Sequence, residues 1–250
     1  MKTIAFATLA CSLAVNADIT ANLETYLAEY AQASGQENPS TNVESLNRKI
    51  PALLGPTLNL FNNYGCWCYF NDRVLVGKGQ PVDAMDEQCQ ILHHGYECAV
   101  MDYEAATGES DCAPWEIVYT SGLSGAQMDE SGRVVGLVEN CEALNDNQCQ
   151  SHACMVEGVF VISLFEILAN QAYSSDYLEK NGFNYDESCV ILDGNQTPER
   201  ECCGDLPYRY PYKPIDRQCC GSKTYNPAIK ECCTRDDGSL KLKLSCSELE

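Results

Sequence analysis

Phe61-Asn62-Asn63-Tyr64-Gly65-Cys66-Trp67-Cys68, followed by Pro81-Val82-Asp83 and then Asp86-Glu87-Gln88-Cys89-Gln90, is the stretch on which the reading of this chain turns. It lies in a region, about Val43 to Tyr185, with long helical patterns of apolar residues and widely spread cysteines. From Ser188 onward the composition changes to dense Cys, Tyr, Pro and Gly. A domain boundary is therefore placed near residue 186. In the tail, Cys202-Cys203-Gly204 and Cys219-Cys220-Gly221 recur and are followed by Cys232-Cys233. Adjacent cysteines have the wrong geometry to pair with each other, so each pair must reach two separate partners and staple a module with little apolar core.

The N-terminus reads as a cleaved signal peptide over residues 1–17: Lys2 precedes an apolar run from Ile4 to Ala14, with Val15 and Ala17 placed for cleavage. No later segment reaches the roughly 20 apolar residues of a membrane span, and Val159 to Ala169 is interrupted by Ser163 and Glu166. The expectation is a secreted, extracellular protein. Of the 17 cysteines, Cys11 leaves with the signal; the even remainder reads as disulfides. Zinc is set aside because the tail shows adjacent pairs rather than two CxxC pairs. Residues 18–41 carry an amphipathic pattern (Leu23, Tyr26, Leu27, Tyr30) and then a polar linker, read as an extra helix in preference to a propeptide. A formal net charge of −20 argues against nucleic acid and anionic membranes as partners, since both repel it.

The quoted stretch resembles the secreted phospholipase A2 family. The similarity runs over roughly residues 42–185: Cys112-Ala113-Pro114 leading to Tyr119 is similar to that family's approach to its β-wing, Val134 to Glu139 is read as the returning strand, and Cys141, Cys149 and Cys154 open an apolar helix. The resemblance implies a mainly α, disulfide-rich fold, with two long antiparallel helices and a β-wing hairpin, ahead of a small irregular or β disulfide-knotted module at 186–250. That module is similar to galaxin-like extracellular matrix repeats.

An active member reads YGCxCGxGG in its calcium loop and DxCCxxHDxCY on its catalytic helix. Glycines let carbonyls surround Ca²⁺, an aspartate supplies carboxylate oxygens, and a histidine activates water. Here, matching Asp86, Cys89 and Tyr96 without a gap puts Leu92 at the catalytic histidine and His93 at the calcium aspartate. Leucine takes no proton, and calcium prefers oxygen to imidazole nitrogen. The loop residues Tyr69 and Asn71 stand where the family has its glycines. Sliding the register by one makes His93 the fallback base and His94 the aspartate position, but turns the Tyr and Cys off their faces by about 100°. The resemblance also puts Glu157 at the family's buried network aspartate.

The cysteines bear on the same register. Two family bridges from this helix are lost at Gln88 and Gly95, and their partner positions, Val156 and Ser163, are lost with them. The remaining pairs implied by the resemblance are Cys68 with Cys89, Cys112 with Cys149, Cys141 with Cys154 and Cys66 with Cys189. Cys98 stays unassigned, and seven tail cysteines leave one free to reach it.

Asp83, Asp86 and Glu87 are read as a solvated helix face, with a loose calcium site as the alternative. His93 and His94, being consecutive, point in different directions and do not converge on one ion; His152 shows no partner in the sequence. Asn195-Gln196-Thr197 is a glycosylation sequon, weakened by Pro198. These readings describe a catalytically inactive phospholipase A2-like protein serving as a structural scaffold, with extracellular proteins, matrix or a mineral surface as partners and no cofactor. Two alternatives stand beside it: a divergent phospholipase A2 hydrolysing the sn-2 ester with Ca²⁺, and a lipid- or receptor-binding module without catalysis.

Overall fold

The computed structural model describes residues 61–70, 76–122, 127–128, 134–191 and 200–248. The signal peptide, residues 18–41, Asn71 and Asn195 lie outside these residues. Within them the protein is disulfide-rich, with four α-helices and small antiparallel strand pairs.

Helix α1 spans Ala84–Thr107. Asp83 caps it by accepting the Asp86 backbone N–H at 3.0 Å, and Asp86 and Glu87 place negative charge at the positive end of the helix dipole. It stops at Gly108, whose N–H turns back to the Glu104 carbonyl. Helix α2 covers Leu137–Leu144, α3 covers Gln148–Asn170, and α4 is the short turn Tyr185–Ser188. α3 is apolar nearly all round, and its residues from Cys149 to Val161 are almost wholly buried. No helix among the described residues is long and apolar enough to cross a membrane.

α1 and α3 pack closely, because Gly95 lets the two backbones approach: a Cβ built there would lie 2.5 Å from a Val156 methyl carbon. Tyr64, Met85, Leu92, Tyr96, Met155, Phe160 and Leu164 form the core between these helices and the loop before α1. The strand reading of Val134 to Glu139 is corrected. Only Val134–Val135 (β2) pairs with Gln127–Met128 (β1); at Gly136 the chain turns, and its carbonyl accepts the Asn140 N–H that opens α2. A six-residue Val/Leu-rich run fits a strand and a buried helical turn equally well, and here Asn140 and Cys141 side-chain contacts decide for helix.

The tail forms three hairpins: β3 (Glu201–Cys203) with β4 (Tyr210–Tyr212), β5 (Gln218–Cys220) with β6 (Lys223–Tyr225), and β7 (Glu231–Thr234) with β8 (Leu240–Lys243). Each opens on an acid or amide followed by two cysteines. The opening residue lies across from Tyr212, Tyr225 or Lys243, and the tyrosine hydroxyls donate to Glu201 and Gln218 at 2.6 and 2.9 Å. The bridges run in a chain: Cys98–Cys202, Cys203–Cys219, Cys220–Cys232 and Cys233–Cys246. The first hairpin is thus bonded through its first cysteine to α1 and each later hairpin through its first cysteine to the hairpin before it, while the second cysteine of each reaches the segment after it. In the helical part the bridges are Cys66–Cys189, Cys68–Cys89, Cys112–Cys149 and Cys141–Cys154.

Candidate functional site

The loop from Tyr64 to Cys68 wraps around the start of α1. Asp86 is fully buried, and its carboxylate accepts the backbone N–H groups of Cys66 (2.9 Å), Trp67 (2.7 Å) and Val82 (2.9 Å). The solvated-face reading therefore holds for exposed Glu87 but not for Asp86, which is the internal anchor of the loop, nor for Asp83, which caps the helix. Burial pushes the Asp86 carboxyl up to about 6, against the three N–H groups that favour its ionised form.

About two turns further along α1 come the residues that the register places at the chemistry. Leu92 is 1 % exposed and belongs to the apolar core. His93 is 3 % exposed; it hydrogen-bonds the Tyr69 backbone, packs edge-on to Trp67 at 6.1 Å, and its Nδ1 has no partner. Burial, and then the neighbouring His94 ring, hold the His93 imidazole down to about 3. His94 packs edge-on to the same Trp67 ring, 5.1 Å between ring centroids, and burial followed by Arg200 lowers it to about 4. A ring that stays neutral until about pH 3 is a weak proton acceptor at neutral pH.

These residues do not fit calcium. The cation takes six to eight oxygens, including carboxylates, whereas His93 offers nitrogen beside an indole and spends its other hydrogen bond on the Tyr69 backbone. The tail trio Glu231, Cys233 and Cys246 brings three ligand-type atoms together, but its two sulfurs are bonded to each other and the trio is no metal cage.

Glu157 on α3 is fully buried, with Tyr96 donating to Oε1 at 2.7 Å and Tyr119 donating to Oε2. Burial pushes its carboxyl up to about 8, while both tyrosines pull the other way. Because the folded pKa lies above the ordinary 4.5, Glu157 stabilises the fold fully below pH 4.5, and that contribution is lost as pH rises through about 8. Over that window the slope reaches about 1.4 kcal/mol per pH unit. Thermal melts of Glu157→Gln, which keeps the shape and the neutral form, should be flatter with pH than those of the wild type. An unchanged slope would contradict this.

The structure thus brings Tyr96, Tyr119 and Glu157 into one network, and sets Leu92 and His93 close by on α1 without a carboxylate ligand. Sequence reasoning left one tail cysteine to reach Cys98, and Cys202 is the one bonded there; it missed the burial of Asp86 and the arginine contacts that the tail makes with α1. The first miss had a signal in the Gly65-Cys66-Trp67 loop, whose N–H groups need an acceptor; the second had none. No known protein-family model matches the sequence.

Proposed function

We propose that this protein is a secreted, catalytically silent molecule built on a phospholipase A2-like core of two long antiparallel helices, residues 42–185, and that it acts as an extracellular scaffold carrying a double-cysteine module at 186–250. The observation that carries the reading is Leu92, a buried hydrocarbon where the mechanism needs a base, one residue from a histidine that replaces the calcium carboxylate. The network of Glu157 with Tyr96 and Tyr119 supports the core assignment, since Glu157 matches the family's buried network aspartate. The eight bridges support an oxidising compartment. Matrix proteins or a mineral surface are the partners that the acidic charge and the stapled tail favour.

The test is direct. The purified, oxidised protein is incubated with mixed phospholipid vesicles and calcium, and fatty-acid release is expected to equal that of buffer, with or without chelator. Calcium-dependent release that disappears in His93→Gln would replace this reading with the divergent enzyme.

A further inference from the structure

The three tail hairpins share one plan, in which the first cysteine of each adjacent pair lies across from the middle of the second strand: Cys202 from Pro211, Cys219 from Thr224 and Cys232 from Leu242. Along an antiparallel ladder, hydrogen-bonded pairs alternate with pairs whose backbone groups point away from the partner strand. In the third hairpin the Arg235 N–H donates to the Ser239 carbonyl at 2.9 Å. Counting along the register from there, Cys233 with Lys241 and Glu231 with Lys243 are bonded pairs, and the N–H and C=O of Leu240 and Leu242 face outward.

An outward row of backbone groups is a template for another chain unless something blocks it. On β4 the outward position is Pro211, which has no N–H to offer. On β6 the Thr224 N–H donates to the Tyr210 hydroxyl at 3.1 Å, and the Thr224 carbonyl accepts from Arg217 Nη2 at 2.9 Å. β8 has neither device: among the described residues nothing bonds the outward N–H of Leu240 or Leu242. Its side chains are sorted by face. Leu240 and Leu244 are 50 % and 70 % exposed, with Leu242 half-buried between them. The opposite face of the ladder carries Arg235, Lys241 and Lys243 against Glu231.

We propose that the outer edge of β8 receives an extended, acidic segment of a partner protein, which joins the third hairpin as an added strand. The backbone of Leu240 and Leu242 supplies the pairing, and the side chains supply the selection. A strand with carboxylates at every second residue sets them beside Lys241 and Lys243 on one face and its apolar residues beside the leucines on the other. A second copy is a poor occupant, because two β8 strands paired antiparallel crowd like charges onto one face. The edge gives the scaffold reading a partner surface but does not rest on Leu92, and an active core would leave it unchanged.

The probe is a capped, fluorescently labelled peptide of alternating glutamate and valine, titrated at physiological salt into the full-length oxidised protein and followed by anisotropy. Saturable binding is expected, and the same peptide with proline in place of each valine, equal in charge but unable to pair, should not bind. Leu242→Pro removes an N–H that the β7 ladder does not use, so it should spare the hairpin and weaken binding by about tenfold or more, the worth of one good hydrogen bond. Lys241→Glu should weaken it likewise. Hydrogen exchange reads the same edge in the native protein: the Leu240 and Leu242 amides should exchange fast alone and slow on adding the peptide. Absence of saturable binding in the millimolar range, equal binding of the proline peptide, or undiminished binding in a folded Leu242→Pro overturns the proposal. So does a concentration-dependent rise in mass that Leu242→Pro abolishes, since the occupant would then be a second copy. Should Leu242→Pro fail to fold, the native exchange decides, and unprotected Leu240 and Leu242 amides at saturating peptide overturn the proposal.

Discussion

The double substitution Gly95→Cys with Val156→Cys closes a ninth disulfide. A Cβ built on Gly95 lies 3.3 Å from the Val156 Cβ, just short of the range of about 3.5–4.5 Å at which bridges form, and the helices need yield only a few tenths of an ångström. Each single change should destabilise. Gly95→Cys drives its side chain into the Val156 methyls, at a cost of about 1–3 kcal/mol for overpacking, and Val156→Cys removes a buried methyl at about 1 kcal/mol. Together they exchange a methyl contact for a covalent bond, which should stabilise by about 2–4 kcal/mol. The non-additivity is the signature of two residues in contact. Intact mass and free-thiol counting on the purified, oxidised double variant, followed by thermal melts, check it. Two free thiols would mean that α1 and α3 do not meet in this register, and the placement of Leu92 at the base position would fall with it.

Asp86→Ala should be the most damaging single substitution on the polar side of the core. Its carboxylate is the acceptor for three backbone N–H groups at 2.7–2.9 Å, and a buried donor left unpaired costs about 1–3 kcal/mol. Gly65 is tailored to it: at φ +58°, a Cβ on residue 65 would lie 2.4 Å from the Asp86 Cγ, so nothing but hydrogen fits. The expected loss is about 4 kcal/mol or more, which lowers Tm by roughly 10 °C for a protein of this size. Asp86→Asn, able to accept from one or two of the three donors, should lose about half as much. Calorimetry with the disulfides intact distinguishes these. A change under about 1 kcal/mol for Asp86→Ala would show that the loop does not depend on its anchor.

Features written in local spacing were legible before any coordinates, and features made by long-range folding were not. The adjacent cysteines of the tail had to reach separate partners because neighbouring thiols cannot bridge, and each of those cysteines does have a partner outside its own pair. α1 was visible in the helical pattern of its region and in the match of Asp86, Cys89 and Tyr96 to the family's helix, whereas its Asp83 cap was read as solvated surface. Val134 to Glu139 misled because Val and Leu in a run of six fit two periods. Asp86 misled because an acidic first turn ordinarily faces water, and only the loop from Tyr64 to Cys68 folding over it removes that water. Arg209 is 107 residues from Asp102, so no local pattern ties the arginine to α1.

The bridges of the tail have a mechanical meaning. A pull on the chain at Cys246 passes through sulfur to Cys233, across one peptide bond to Cys232, and by the same steps through Cys220, Cys219, Cys203 and Cys202 into Cys98 on α1. The load path consists of covalent bonds throughout and bypasses the turn of every hairpin. Hydrogen bonds between strands carry no tension, and the slack stored in three hairpins cannot pay out while the bridges are closed. Under oxidising conditions the tail is a short, inextensible link, and reduction turns it into a long, compliant one.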